Sequence, residues 1–185
     1  HHVTERGNNK VGTFLDRDDH LRYLTLLKEA LHHYKVQLLA YCLMPNHVHQ
    51  VVVPSDEEGM SLALKESQSA YARGFNRKYQ RSGHLWQNRF YSCPMTPSHL
   101  YRAIRYVELN PVRAGLVDEA WEYEWSTAAF HCGLSEQAPV IACPKGPQIL
   151  EVENWDTYLR GKEGEADRVS LRIATSLGKP WGLLT

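Results

Sequence analysis

No stretch of the 185 residues approaches the ~18 consecutive apolar side chains that a membrane-spanning helix requires, so no membrane association is expected. Net charge is also missing, with 21 Lys and Arg against 21 Asp and Glu. The four cysteines, Cys42, Cys93, Cys132 and Cys143, include no C-x-x-C pair, which argues against a zinc knuckle or a redox dithiol. Scattered thiols of this kind read as reduced side chains of a cytoplasmic protein. No internal repeat or low-complexity tract is present. The opening His1-His2-Val3-Thr4-Glu5 lacks a basic region followed by an apolar stretch, so no signal peptide is visible. His1 and His2 read either as native residues or as remnants of a tag.

What is present is a folded chain, 43% hydrophobic and 23% charged. The zero net charge conceals a strong polarity. Residues 60–115 carry nine Lys and Arg against two acidic residues, whereas residues 116–167 carry three against eleven. A basic segment of this density is either the footprint of phosphate binding or one half of an internal ion-pair system.

Periodicity predicts the element order. Val3 to about Phe14 reads as a strand interrupted by the turn signal Gly7-Asn8-Asn9. Asp16 or Asp18 can cap a helix running to about Tyr34, with Leu21, Leu24, Leu27 and Leu31 at helical spacing and Tyr23, Leu26 and Ala30 widening the stripe. Val36–Leu43 and His47–Val53 read as strands joined tightly through Met44-Pro45-Asn46, hence an antiparallel hairpin. A second helix is expected from about Ser61 to Tyr79, a strand from Leu85 to Met95, and a third helix from Pro97 towards Asn110, limited by Pro111. The order β-α-β-β-α-β-α predicts an α+β fold: a ferredoxin-like antiparallel sheet with helices on one face. Residues 1–115 would form that domain. The acidic, Trp-rich residues 116–185 would form a mainly helical appendage packed on it, with a loose stretch at Gly161-Lys162-Glu163-Gly164-Glu165.

His47-Val48-His49 is the sharpest local motif. On a strand, residues i and i+2 project from one face, so the two imidazoles form either half of a divalent-cation site or a hydrogen-bonded surface or core pair. Tyr106 and Asn110, at i and i+4 on the third helix, share a face. A tyrosine hydroxyl attacks phosphorus when a cation polarises the phosphoryl oxygen, and an amide oxygen one turn along is a plausible further ligand. The bland alternative for Tyr106 is a core aromatic. Tyr101 does not substitute, because five residues place it about 140° round the helix from Tyr106.

The stretch Leu43-Met44-Pro45-Asn46-His47-Val48-His49, with Arg105-Tyr106-Val107-Glu108-Leu109-Asn110-Pro111-Val112-Arg113-Ala114-Gly115, resembles the REP-associated tyrosine transposases, relatives of the single-tyrosine HUH transposases. His2–Asn8 is similar to that family's first strand, Leu85–Phe90 to its Trp-x-x-Arg-Phe/Tyr segment, and Leu171–Gly182 to its C-terminal segment. The resemblance implies that His47 and His49 are metal ligands and that Asn110 holds the third ligand position. It implies that Tyr106 is the nucleophile forming a 5′-phosphotyrosine and freeing a 3′-hydroxyl. The implied substrates are single-stranded DNA and imperfect palindromic hairpins with a flanking tetranucleotide.

The implied cofactor is Mg²⁺ or Mn²⁺, and two imidazoles with an amide suit Mn²⁺ better. Lys65, Arg73, Arg77, Lys78, Arg81 and Arg89 are candidate backbone contacts, with Trp86, Phe90 or Tyr91 as stacking platforms. The rival readings are a replication-initiator-like or relaxase-like nickase, a zinc-dependent hydrolase, and a catalytically silent hairpin-binding protein of the same fold. A monomer is favoured over a dimer, located at the nucleoid in a bacterial cytoplasm.

Overall fold

A computed structural model describes residues 1–56, 58–135, 154–161 and 164–181. Strands β1 (His2–Arg6), β2 (Gln37–Met44), β3 (His47–Val53) and β4 (Tyr91–Cys93) form one sheet in the order β2-β3-β1-β4. Every neighbouring pair is antiparallel. Helix α1 (Arg17–His33) connects β1 to β2, and α2 (Gly59–Lys78) connects β3 to β4. The fold is therefore α+β with the expected ferredoxin-like order.

Local chemistry explains the first elements. Asp16 is the N-cap of α1, its carboxylate accepting from the Asp19 backbone N–H, and Asp18 and Asp19 add negative charge to the first turn. Tyr23, Leu24, Leu27, Ala30 and Leu31 bury the helix's apolar stripe, while Leu21 at its edge stays exposed. Pro45 and Asn46 close the β2–β3 hairpin, so Met44 pairs with His47. One extra residue, Leu39, bulges out of the β2 ladder between Leu38 and Ala40.

Strand alternation divides the interior into two cores. Val48 and Val52 of β3 pack with α1 and α2 on one face. Val51 turns to the opposite face, together with Ala40, Cys42 and Met44 of β2. That second face is covered by α3 (Leu100–Glu108) and α7 (Glu165–Leu177), so α1 and α2 share one side of the sheet and the later helices occupy the other.

Three elements differ from the sequence expectation. The first strand ends at Arg6, residues 8–10 form a short 3-10 turn, and residues 11–14 are not strand. Only residues 91–93 of the Leu85–Met95 run are strand, because Leu85 and Trp86 are both buried, which breaks the two-residue alternation a strand requires. Trp86 makes an isolated bridge to Gly7, and its indole donates to the Gln68 carbonyl. Pro111 does not end the helical path. The chain breaks at Leu109 and resumes as α4 (Asn110–Arg113), where proline sits in a first turn that needs no N–H from it.

The C-terminal residues are tied to this frame by polar bonds. Residues 125–127 run along the free edge of β2, with Leu43 N–H donating to Trp125 O and Thr127 N–H to Tyr41 O. The fully buried Glu108 carboxylate of α3 accepts from Thr127, from His131 of α5 (Ala128–His131) and from the indole of Trp155 on α6 (Trp155–Arg160). Three donors around one buried carboxylate supply the compensation its desolvation demands. Cys143, Lys162, Glu163 and Gly182 lie outside the described residues. Among the described residues no helix is long and apolar enough to cross a membrane.

Candidate active site

The β1–β3 register sets Thr4 opposite His49 and Arg6 opposite His47. His47 and His49 share the face of β3 that meets α3, their ring centroids 5.0 Å apart. Tyr106 of α3 is 3% exposed, and its ring stands edge-on to His49 at 5.7 Å. The two histidines, Tyr106 and Asn110 line one cavity of about 450 Å³, together with His2, Arg172 and Thr175.

Hydrogen bonds fix the tautomers of both histidines. Asn46 Nδ2 donates to the Lys10 carbonyl, so its Oδ1 accepts from His47 Nδ1 at 2.6 Å. The Thr175 hydroxyl donates to the Leu171 carbonyl and therefore accepts from His2 Nδ1 at 2.8 Å. His2 Nε2 is then the acceptor for His49 Nδ1 at 3.1 Å. In each of His47 and His49 the Nδ1–H is committed to the protein, which leaves the Nε2 lone pair as the available ligand. Partners of this kind orient metal-binding histidines and fix their tautomers.

Electrostatics keep those lone pairs free of protons. Burial, with Arg6 and Arg172 nearby, lowers the His47 pKa to about 4. Burial, and then the neighbouring His2 and His47, holds His49 well below its ordinary value. His2 is pushed down to about 3, chiefly by burial.

Asn110 and Tyr106 are positioned by the break between α3 and α4. Asn110 Nδ2 donates to the carbonyls of Tyr106 and Val107, at 3.0 and 3.1 Å, which leaves Oδ1 as the acceptor end of the amide. Arg113 donates to the Tyr106 carbonyl, and its guanidinium lies 4.4 Å from the centre of the Tyr106 ring. The Tyr106 hydroxyl accepts from Arg172 Nε at 3.2 Å. The donor set of two neutral imidazoles and one amide oxygen fits a divalent cation that completes its shell with water or phosphate oxygens. Among the described residues no group of three or more His, Cys, Asp or Glu side chains could hold a metal ion.

Of the six candidate DNA-contacting residues, Lys65, Arg73 and Arg89 line one groove of about 940 Å³ between α2 and residues 83–90, with Trp86 and Phe90 in its wall. Glu5 and Gln87 line both this groove and the histidine cavity, so the two are contiguous. Arg77 is exposed on α2 outside the groove lining, and the Arg81 guanidinium lies over the Phe75 ring. Lys78 is engaged elsewhere. Its ammonium binds Asp16 and Asp19 at 2.7 and 2.8 Å and ties α2 to the start of α1. Among the described residues neither Arg73 nor Arg77 pairs with Asp118, Glu122 or Glu124. Glu124 pairs with Arg17, and Glu119 with Arg160.

Sequence reasoning missed His2, Arg172 and Thr175 as site residues. His2 carried a readable signal, because it shares the first strand's alternation with Thr4. Arg172 carried none, being 66 residues from the tyrosine that it contacts.

Comparison with known proteins bears on the fold and the family. The chain is 26% identical over 116 residues to a curated Haemophilus influenzae protein described as a REP-associated tyrosine transposase. The match covers 56% of this chain and 64% of that protein, just short of two thirds of its length. A solved REP-associated tyrosine transposase bound to a REP hairpin shares the fold, with a TM-score of 0.52 and 19% identity over 68% of this chain and 74% of that one. The profile of the family described as "Transposase IS200 like" matches residues 2–110, the span from His2 through the hairpin histidines to Asn110. This chain belongs to the IS200-like transposases, a family of DNA-processing proteins.

Proposed function

We propose that the protein cleaves and rejoins single-stranded or hairpin DNA through a covalent intermediate on Tyr106. The Tyr106 oxygen attacks a backbone phosphorus, forming the tyrosyl O–P bond, and its proton leaves to water. The P–O3′ bond breaks, and the departing oxygen takes up a proton to become a 3′-hydroxyl. One phosphodiester is exchanged for another, so a 3′-hydroxyl returning to the same phosphorus can rejoin strands. Arg172, already bonded to the attacking oxygen, places positive charge where negative charge develops.

His47, His49 and Asn110 would hold a divalent cation, Mn²⁺ or Mg²⁺. When bound, it supplies charge neutralisation and polarisation of the phosphoryl oxygen. The observation that carries this reading is the shared cavity: one tyrosine hydroxyl beside two imidazoles whose Nε2 atoms are kept neutral and, among the described residues, unengaged.

The test is incubation of labelled hairpin oligonucleotides with the protein and Mn²⁺, followed by denaturing electrophoresis. A denaturation-resistant adduct is expected from the unmodified protein. Tyr106→Phe should abolish it while leaving hairpin affinity nearly intact. An adduct at undiminished yield in Tyr106→Phe would overturn the assignment, and hairpin binding without any adduct would favour the silent binding protein.

A further inference from the structure

Arg6 is a charged side chain that the fold leaves unspent beside the proposed nucleophile. The β1–β3 register sets it directly opposite His47, so the two side chains leave one face of the sheet with Cβ atoms about 5 Å apart. Arg6 is exposed and lines the histidine cavity, as Tyr106 and Arg172 do. Its guanidinium makes no hydrogen bond or ion pair among the described residues. Elsewhere Arg17, Lys78, Arg102, Arg160 and Arg168 each hold a carboxylate. Glu5 is the only acidic side chain among the described residues of the cavity lining. It lies opposite Val48, which packs with α1 and α2, so it belongs to the other face of the strand. Burial also pushes its carboxyl up to about 9, so at neutral pH it offers Arg6 no charge to pair with. A cavity with two guanidiniums, two neutral imidazoles and no ionised carboxylate among the described residues is electrostatically complete only with an anion inside.

We propose that Arg6 binds the phosphate of the cleaved bond, its guanidinium donating to one of the two non-bridging oxygens. The inference rests on the DNA-cleaving reading and deepens it by assigning the phosphate a second grip. His47, His49 and Asn110 provide for the other non-bridging oxygen through the cation they would hold, and Arg172 serves the attacking Tyr106 oxygen. Arg6 is the remaining charged donor among the described residues of the cavity. A guanidinium suits the task, because it stays charged at every working pH and its planar fork matches phosphate oxygens. Negative charge spread over the non-bridging oxygens as phosphorus is attacked then meets a donor already in place. Because Arg6 stands on β1 and Arg172 on α7, a phosphate held between them is fixed relative to the Tyr106 hydroxyl from two independent elements.

The experiment measures hairpin binding in EDTA, with a single methylphosphonate of either configuration at the cleaved linkage, whose position is mapped from the adduct. Both isomers remove the phosphate's charge equally, so a difference between them reports which oxygen is gripped. The unmodified protein should bind one isomer about tenfold more weakly than the other, the worth of one charged hydrogen bond. In Arg6→Met that difference should shrink to about twofold or less, the coupling a direct contact requires. Arg6→Lys, which keeps the charge without the fork, should retain a difference of about threefold or more in the same direction. In Mn²⁺ titration without DNA, Arg6→Met should bind at least as tightly as the unmodified protein, because it breaks no bond and removes a positive charge opposite His47. That readout guards against a folding defect. Equal binding of the two isomers by the unmodified protein, a difference unchanged in Arg6→Met, its loss in Arg6→Lys, or weaker Mn²⁺ binding in Arg6→Met would each overturn the proposal. Those results, with adduct formation intact in the unmodified protein, would reject this inference alone. Absence of any adduct on every hairpin would instead reject the cleavage reading beneath it.

Discussion

His2 shows how one side chain can serve the site without touching a substrate. Its Nε2 accepts from His49 and its Nδ1 donates to Thr175, so the relay directs the His49 lone pair into the cavity. Loss of such a partner typically costs 10–100-fold in metal affinity. His2→Phe should therefore weaken Mn²⁺ binding by about that factor, read by Mn²⁺ paramagnetic resonance titration in the absence of DNA. Unchanged Mn²⁺ affinity would reduce His2 to packing. Glu5 makes the opposite kind of statement, about stability. Its folded pKa, about 9, lies above the ordinary 4.5, so the folded state keeps a proton that the unfolded chain releases. Stability then falls as pH rises from about 4.5 to about 9 and is level outside that window. Glu5→Gln removes the cost of keeping that proton, and should raise stability by roughly 3 kcal/mol near pH 7 with little change below pH 4.5. Urea unfolding at the two pH values measures it, and an equal effect at both would contradict a neutral buried carboxyl.

At the scale of elements, the third helix and its break hold the proposed nucleophile and the amide beside it. Leu109 interrupts α3, Pro111 reopens the path as α4, and the Asn110 amide is held between them against the carbonyls of Tyr106 and Val107. Glu108 on the far side pins the same helix to α5 and α6. Removing that carboxylate takes the acceptor from the His131 ring N–H and the Trp155 indole, while Thr127 can still donate to the Tyr41 carbonyl, so Glu108→Ala should destabilise the fold by roughly 3 kcal/mol in urea unfolding. A loss under about 1 kcal/mol would mean that the appendage does not brace α3. Gly7 constrains the entry to the hairpin. A Cβ there would meet the Val11 carbonyl at 2.5 Å, beside the Gly7 N–H bond to Asn46 O, and Asn46 in turn orients His47.

These elements also show what the sequence made legible. The two long helices and the hairpin announce themselves through periodicity, a capping Asp and a Pro-Asn turn, all local signals. The same-face placement of His47 and His49 follows from the strand period. Leu85 and Trp86, buried side by side, mislead because tertiary packing overrides alternation. Arg172 is invisible because nothing within its own helix reports that its guanidinium reaches a tyrosine 66 residues away.

For the whole molecule, the sheet separates tasks. One face buries α1 and α2, while the other faces α3 and α7 and holds the histidine cavity, and the groove beneath α2 joins them through Glu5 and Gln87. The basic segment accordingly divides. Arg73 lines the groove, whereas Lys78 spends its charge on Asp16 and Asp19. Arg73→Glu should weaken hairpin binding and flatten its salt dependence, by roughly 0.7 in slope for each phosphate that is no longer neutralised. Lys78→Ala should leave the slope unaltered. Equal slopes in both variants would mean that the groove is not the DNA track.

A covalent bond between Tyr106 and DNA is read out by mass spectrometry of the digested protein–oligonucleotide adduct. A nucleotide mass on the tryptic peptide containing Tyr106, linked through its 5′ phosphate, is the predicted result. The same mass on a peptide containing Tyr91, Tyr101 or any other tyrosine would rule out Tyr106 as the nucleophile.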